Sequence, residues 1–247
     1  MKTIGIVGGV GPEASNKFCE MLIKYKSKKK DQDNLPFMHF CNPSVPDRTE
    51  FILGQGEDPV PELINSCIKL QKAGADFLVI PCNTAHVFLS RIQKEVSIPI
   101  IDMTGVLVKK MKSHRPFTKK VGILATTGSI KSNLFKDYFE AVGIEAVFLE
   151  EIDQEELVMG AIYGKKGIKA GKKQLPKKLL TFAANKLIEK GAEEIVLGCT
   201  EIPLVLKQKH LRVKLRDPME IVAKEIINYL ESKDKMEVVT IGHNFGR

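Results

Sequence analysis

No apolar run in this sequence is long enough to cross a bilayer; stretches such as Phe77 to Pro81 have the length of a strand. The opening residues, Met1 to Gly9, reach glycine too early for a secretory signal, so a cytoplasmic protein that does not engage membrane is expected. The five cysteines (19, 41, 67, 82 and 199) include no CxxC pair. Their odd number and scattered spacing argue against a disulfide framework and a zinc ribbon. Arginine is sparse in the basic stretches, which are nearly pure lysine around 24–30 and 165–178. The net charge of +8 therefore reads as a solvated surface and not as a nucleic-acid face. Such a field can still draw an anionic metabolite toward a cleft. A dinucleotide fingerprint is incomplete: Gly9 and Gly11 supply two glycines of GxGxxG, but Ala14 stands third. The acidic residue expected about twenty positions further on is missing as well.

What is present is an ordinary globular composition, 43% hydrophobic and 28% charged, over 247 residues. That length is close to where chains divide into two domains. Short β-branched runs alternate with helical stretches. Strands are expected at 3–8, 36–41, 76–81, 98–102, 119–125, 144–149, 193–198 and 212–216. Helices are expected at 12–28, 59–73, 84–95, 104–113, 130–142, 153–163, 174–190, 200–208 and 218–232. In the last of these, Asp217 is the expected N-cap, Pro218 stands at the first helical position, and Ile221, Val222, Ile226 and Leu230 form an apolar stripe. The alternation predicts an α/β protein built on parallel sheets flanked by helices.

The chain also repeats. Lys2 to Val7 aligns with Lys119 to Leu124, and Ala73 to Cys82 aligns with Lys190 to Cys199, both at one offset (199 − 82 = 117). Ile101-Asp102 echoes Arg216-Asp217 at nearly the same spacing. Three ordered echoes predict two similar α/β lobes related by a pseudo-twofold. Residues 1–103 with 214–232 are expected to form the first lobe and 104–213 the second, leaving a tail at 233–247.

Cys82 and Cys199 occupy the same place in each repeat: strand, cysteine, polar turn, expected helix. Ligands of parallel sheets bind at the carboxyl ends of strands, and a helix N-terminus favours a thiolate. Cys19, Cys41 and Cys67 fit the plainer role of small buried hydrophobes. Two thiols of matched basicity are suited to removing an α-proton from one face of a carbon and returning one to the other. Reacting distances of about 3–3.5 Å on each side would separate the sulfurs by about 7 Å, too far for a disulfide. Asn83, Thr84, Thr200, and the hydroxyls of Thr126, Thr127 and Ser129 supply donors nearby.

Six segments in order carry a resemblance to the aspartate/glutamate racemase family over residues 3–230. They are Gly-Gly-Val-Gly-Pro at 8–12, Pro-Asp-Arg-Thr at 46–49, Cys-Asn-Thr-Ala-His at 82–86, Ala-Thr-Thr-Gly-Ser at 125–129, Ile-Lys-Ala-Gly at 168–171 and Gly-Cys-Thr-Glu at 198–201. The resemblance implies two lobes with the active site between them, no pyridoxal phosphate, no metal and no other cofactor. It also implies a chain swap, the helix after Asp102 joining the second lobe and the helix after Asp217 returning to the first. Cys82 and Cys199 become the catalytic thiols. Val10, Arg48, Asn83, Thr84, Thr126, Thr127, Lys169 and Thr200 become substrate-binding, with Arg48 and Lys169 holding carboxylates. The expected partner is a small acidic amino acid, aspartate or glutamate.

His86 and Glu201 are auxiliary candidates. A histidine one turn after Cys82 serves equally well as a satisfied buried contact, and an acidic residue in a first helical turn complements the helix dipole. Asp47 reads as a turn residue. Two other functions stay open: another reaction of the same superfamily, of decarboxylase or cis–trans isomerase type, and a non-catalytic carboxylate-binding protein. The sequence leaves the oligomeric state open, a homodimer included.

Overall fold

The computed structural model describes residues 1–26, 30–113 and 117–232. The tail expected at 233–247 lies outside them. The described residues divide into two compact units, 1–107 with 219–232, and Val108–Pro218.

In the first unit, β1 (Ile4–Gly8), β2 (Phe37–Cys41) and β3 (Phe77–Val79) form a parallel sheet in the order β2-β1-β3. Alternation along the strands divides the core in two. Ile4, Ile6, Phe77 and Val79 meet Phe18 and Leu22 of the helix Pro12–Lys26, together with Val222 and Ile226 of the helix Pro218–Glu231. Val7, Leu78 and Ile80 turn the other way, onto Leu63, Cys67 and Leu70 of the helix Val60–Lys72. Every residue of β1 is buried, as a strand covered by helices on both faces must be.

The second unit repeats this plan. β4 (Lys120–Leu124), β5 (Glu145–Val147), β6 (Glu194–Leu197) and β7 (Lys214–Arg216) form a parallel sheet in the order β5-β4-β6-β7. The helix Gln174–Glu189 packs on it through Leu180, Ala184 and Leu187. The duplication extends to glycines that admit the covering helix. A Cβ on Gly5 would stand 3.3 Å from Leu70 Cβ and 2.9 Å from Ala75 Cβ. A Cβ on Gly122 would stand 2.9 Å from Leu187 Cβ and 3.1 Å from Ala192 Cβ. The same offset relates each residue of one set to its counterpart, so the repeat is one of packing as well as of sequence.

Several elements differ from expectation. Residues 98–102 make only a bridge to β3, with Leu78 N–H donating to Pro99 O (2.9 Å) and Ile101 N–H to Leu78 O (2.9 Å). Pro99 has no N–H to extend the ladder. Lys214–Arg216, grouped above with the first lobe, pairs with β6 and so belongs to the second sheet. The helix expected at 130–142 is two, Thr127–Lys131 and Leu134–Glu140, broken where Asn133 adopts a left-handed conformation (φ 57°). The helix expected at 153–163 contains a π-helical stretch, Gln154–Met159. The helix expected at 200–208 is replaced by 3₁₀ turns at Ile202–Leu204 and Gln208–His210. Pro203 would fall inside the expected helix, where it cannot donate the required bond. Among the described residues, no helix is long and apolar enough to cross a membrane.

Candidate active site

Both units place their polar residues at the carboxyl ends of their strands. In the first unit, β1 runs into the turn Gly8–Pro12. Gly9 has φ +93°, and a Cβ there would lie 2.3 Å from the backbone of Asn42, so only glycine fits. Ser15 secures the turn: its hydroxyl donates to Pro12 O (3.0 Å), accepts from Gly9 N–H (3.3 Å) and meets His39 Nε2 (3.2 Å). Val10 is buried in the core of this unit.

Beyond β3, Cys82 is 6% exposed and Asn83 1%. The carbonyl of Cys82 lies 2.9 Å from His86 Nδ1. A carbonyl can only accept, so Nδ1 carries a proton, and Nε2 is buried with no hydrogen-bond partner among the described residues. Among the described residues, the Asn83 amide has no hydrogen-bond partner at either its oxygen or its nitrogen. Leaving such buried groups unsatisfied costs about 1–3 kcal/mol each, which fits a site that a polar ligand completes. Thr84 is buried beside them.

Arg48 opens a short helix, Arg48–Ile52, that sequence reasoning did not anticipate. Asp47 caps it, Oδ1 accepting from Thr49 N–H (2.7 Å) and Glu50 N–H (3.1 Å). The guanidinium of Arg48 is buried, with Nη1 donating to Pro46 O (3.0 Å) and Val45 O (3.4 Å). The loop's own carbonyls therefore aim this side chain.

In the second unit, Thr126 caps the helix Thr127–Lys131, accepting from Ser129 N–H (3.3 Å). Thr127 donates its hydroxyl to Glu155 and its N–H to Met159 Sδ (3.3 Å). Gln154 Nε2 donates to Ala125 O (2.9 Å). Gln154, Glu155 and Met159 all lie on the π-helical stretch, which carries no local sequence signal that could have marked them.

Leu124 and Leu197 are partners in the β4–β6 register, so the turn after β6 lies beside the turn after β4. Cys199 there is 5% exposed. Its thiol donates to Glu201 Oε2 (3.0 Å), which also accepts from the Thr200 hydroxyl (3.3 Å). Glu201 Oε1 faces Lys169 Nζ at 3.5 Å, and that ammonium lies 5.0 Å from the centre of the Tyr163 ring. The lysine-rich loop is held in place by Ile168 N–H on Ala161 O (2.8 Å) and Lys169 N–H on Ile162 O (3.1 Å). The structure thus joins Cys199, Thr200, Glu201 and Lys169 in one cluster.

The helix-dipole argument for the thiols needs correction. Cys82 precedes a 3₁₀ helix, Thr84–Phe88, and Cys199 precedes the three-residue turn at Ile202. Neither starts an α-helix long enough for a strong macrodipole, so side chains and local N–H groups must do the tuning. The other cysteines are of a different kind. Burial pushes the Cys19 thiol up to about 11 and the Cys67 thiol up to about 12, which keeps both inert. Cys41 is exposed at the end of β2. No cluster of potential metal ligands occurs among the described residues.

The family model for Asp/Glu/hydantoin racemase matches residues 7–226. The broad specificity amino-acid racemase RacX of Bacillus subtilis is 25% identical over 229 residues, covering 91% of this chain and 96% of that one. A glutamate racemase of Shewanella is 27% identical over 75% of this chain and 70% of its own length. Among solved structures, the aspartate racemase of Picrophilus torridus superposes with a TM-score of 0.80 at 24% identity, covering 96% of this chain and 98% of that one, a likeness of fold.

Proposed function

This chain belongs to the Asp/Glu/hydantoin racemase family, and from that membership we propose that it interconverts the L and D forms of an acidic amino acid without a cofactor, using Cys82 and Cys199 as acid and base. Its substrate is an amino acid. The observation that carries the mechanism is the duplication: in each unit the third strand is followed within three residues by a nearly buried cysteine and a polar turn, at one constant offset.

Exchange at an α-carbon removes a proton from one face and adds one to the other. Reversibility demands two groups of like chemistry, which two thiols provide. The α-proton is a weak acid, so the reaction also needs donors where charge gathers on the substrate's carboxylate. The unsatisfied amide of Asn83, with Thr84 and Thr200, suits that task, each such donor contributing about 10²–10³ in rate. Thr126 and Thr127 add hydroxyls at the end of β4, and the turn at Val10 supplies backbone at the end of β1. Arg48 and Lys169 provide the cations for the two carboxylates, Arg48 with a planar fork and Lys169 with a compact charge. His86 fixes the backbone of Cys82 through its carbonyl. The five cysteines are all free, which fits a reducing compartment such as the cytoplasm.

Chirality-resolved chromatography of L-aspartate and L-glutamate incubated with purified protein tests this reading. The D form should appear at a rate unchanged by chelator or by a carbonyl-trapping reagent. No D form from either substrate would refute it. In the same assay Arg48→Lys keeps a charge but loses the fork, so kcat/KM should fall by about 10-fold or more. Wild-type kinetics in that variant would remove Arg48 from the site.

A further inference from the structure

The cations and donors described above address carboxylates. An α-amino acid also carries an ammonium on the carbon that loses its proton, and an ammonium can only donate. We propose that Glu155 and Gln154 hold the Thr127 hydroxyl as a hydrogen-bond acceptor, so that the turn after β4 takes the substrate's α-ammonium and not a carboxylate. The proposal rests on the racemase reading and deepens it, by making the site selective for amino acids over dicarboxylates that lack the amino group.

The hydrogen bonds at Thr127 fix its polarity. A hydroxyl has one proton and two lone pairs. The proton goes to Glu155 Oε1, and one lone pair accepts from Gln154 Nε2 (3.4 Å). What remains for a ligand is a lone pair beside an acidic side chain, which suits a cationic donor. Gln154 adds a second acceptor. Its Nε2 donates to Ala125 O (2.9 Å), which can only accept, so the orientation of the amide is set. Its Oε1 is then a buried acceptor with no hydrogen-bond partner among the described residues, a costly state that favours the arrival of a donor. Gln154, Glu155 and Met159 all belong to the π-helical stretch, and Met159 Sδ accepts from Thr127 N–H (3.3 Å). An i→i+5 register keeps Gln154 and Met159 near one face, where an α-helix would turn them well apart, so both reach the same turn. The position suits the reacting carbon. Leu124 and Leu197 are partners across β4 and β6, and a Cβ on Gly198 would stand 2.9 Å from Ala125 Cβ, so this turn adjoins the one that carries Cys199. An ammonium held here belongs to the same carbon on which Cys199 is proposed to act.

Desamino analogues separate the two polarities. Succinate and glutarate keep both carboxylates of aspartate and glutamate but lack the ammonium. KM for the L-amino acid and Ki for its desamino analogue are read in one racemisation assay. Thr127→Val should raise KM about 10-fold or more, while Ki stays within about two-fold of wild type. Thr127→Ser restores the hydroxyl and should return KM to near the wild-type value. Glu155→Ala should also raise KM, and should leave Ki unchanged or lower it, because the freed hydroxyl can then donate to a carboxylate. Glu155 is exposed, so this replacement leaves the core intact. Glu155→Gln keeps an acceptor without the charge and should fall between wild type and Glu155→Ala. If Thr127→Val changes both constants alike, or neither, Thr127 does not receive the ammonium and the proposal is wrong, while the racemase reading stands. If Glu155→Ala changes both alike, or neither, Glu155 does not set the polarity of the turn and the proposal is wrong in the same way. If the wild-type protein racemises neither aspartate nor glutamate, the racemase reading fails and this proposal fails with it.

Discussion

Cys82→Ser and Cys199→Ser should each abolish racemisation, with a loss of about 10³-fold or more at neutral pH. Serine is the closest replacement in shape, and the Cys199 thiol already makes a hydrogen bond that a hydroxyl can make, to Glu201 Oε2, so folding is expected to survive. What serine lacks is acidity: an unassisted hydroxyl does not form the alkoxide at neutral pH that could remove an α-proton, and it returns a proton just as reluctantly. On the two-thiol proposal, loss of either thiol would leave one face of the α-carbon without a partner, and inversion needs both faces. Cys41→Ser, at an exposed strand end, should retain the wild-type rate and serve as the control for thiol chemistry in general. Chiral chromatography of purified variants measures all three. A single-serine variant that racemises near the wild-type rate would remove that cysteine from the mechanism.

Arg216→Met should destabilise the protein by about 3 kcal/mol without touching the site. Arg216, in β7, donates from Nε and from Nη2 (2.8 Å) to Glu194 in β6, and Thr118 donates to the same carboxylate (3.0 Å). Both charged side chains are largely buried, the arginine at 6% exposure. Removing the arginine leaves a carboxylate stranded beneath the sheet edge, a far larger loss than the net worth of the pair. The double variant Arg216→Met/Glu194→Gln should therefore recover much of the stability. The pair also predicts a response to acid. Burial pushes the Glu194 carboxyl up, but the Arg216 hydrogen bonds and charge, the Thr118 hydroxyl and the Lys214 charge more than offset this. Its folded pKa thus lies below the usual carboxylate value. A depressed carboxyl stabilises the fold above its unfolded pKa, and that contribution is lost as pH falls through the folded value. Urea unfolding at neutral and acidic pH should show the gap between wild type and Arg216→Met narrowing in acid. Equal stability at neutral pH would contradict the account.

Much of the fold was legible because it rests on local pattern. The apolar strands alternating with helical stretches announce sheets covered by helices, and one offset of 117 ties the halves together. The departures arise where a single residue overrides the pattern. Pro99 truncates a strand, Pro203 turns an expected helix into a 3₁₀ turn, and Asn133 divides another. Strand 214–216 fits either lobe by hydropathy alone; only its pairing with β6 assigns it.

Among the candidate site residues, the cysteines were singled out by the repeat, and Arg48 by the resemblance of its Pro-Asp-Arg-Thr segment. The contacts that give these residues a task were not. Glu155 and Gln154 reach Thr127 and Ala125 across 28 and 29 residues, from a π-helical stretch that reads as plain amphipathic helix. Lys169 stands out among so many neighbouring lysines only because its loop is hydrogen-bonded onto the end of a helix, which sets its ammonium against Glu201. Periodicity encodes elements, whereas the partnership of a lysine and a glutamate 32 positions apart (201 − 169 = 32) is a product of folding.

The central claim, that this chain moves protons at the α-carbon of an acidic amino acid, is tested most directly by racemisation in heavy water. L-Aspartate or L-glutamate incubated with the purified enzyme and no added cofactor should yield the D form with deuterium at the α-carbon in every inverted molecule. The Cys82→Ser/Cys199→Ser double variant should incorporate none. A D form that retains the original α-hydrogen, or a protein that leaves the α-position of every acidic amino acid unexchanged, would contradict it.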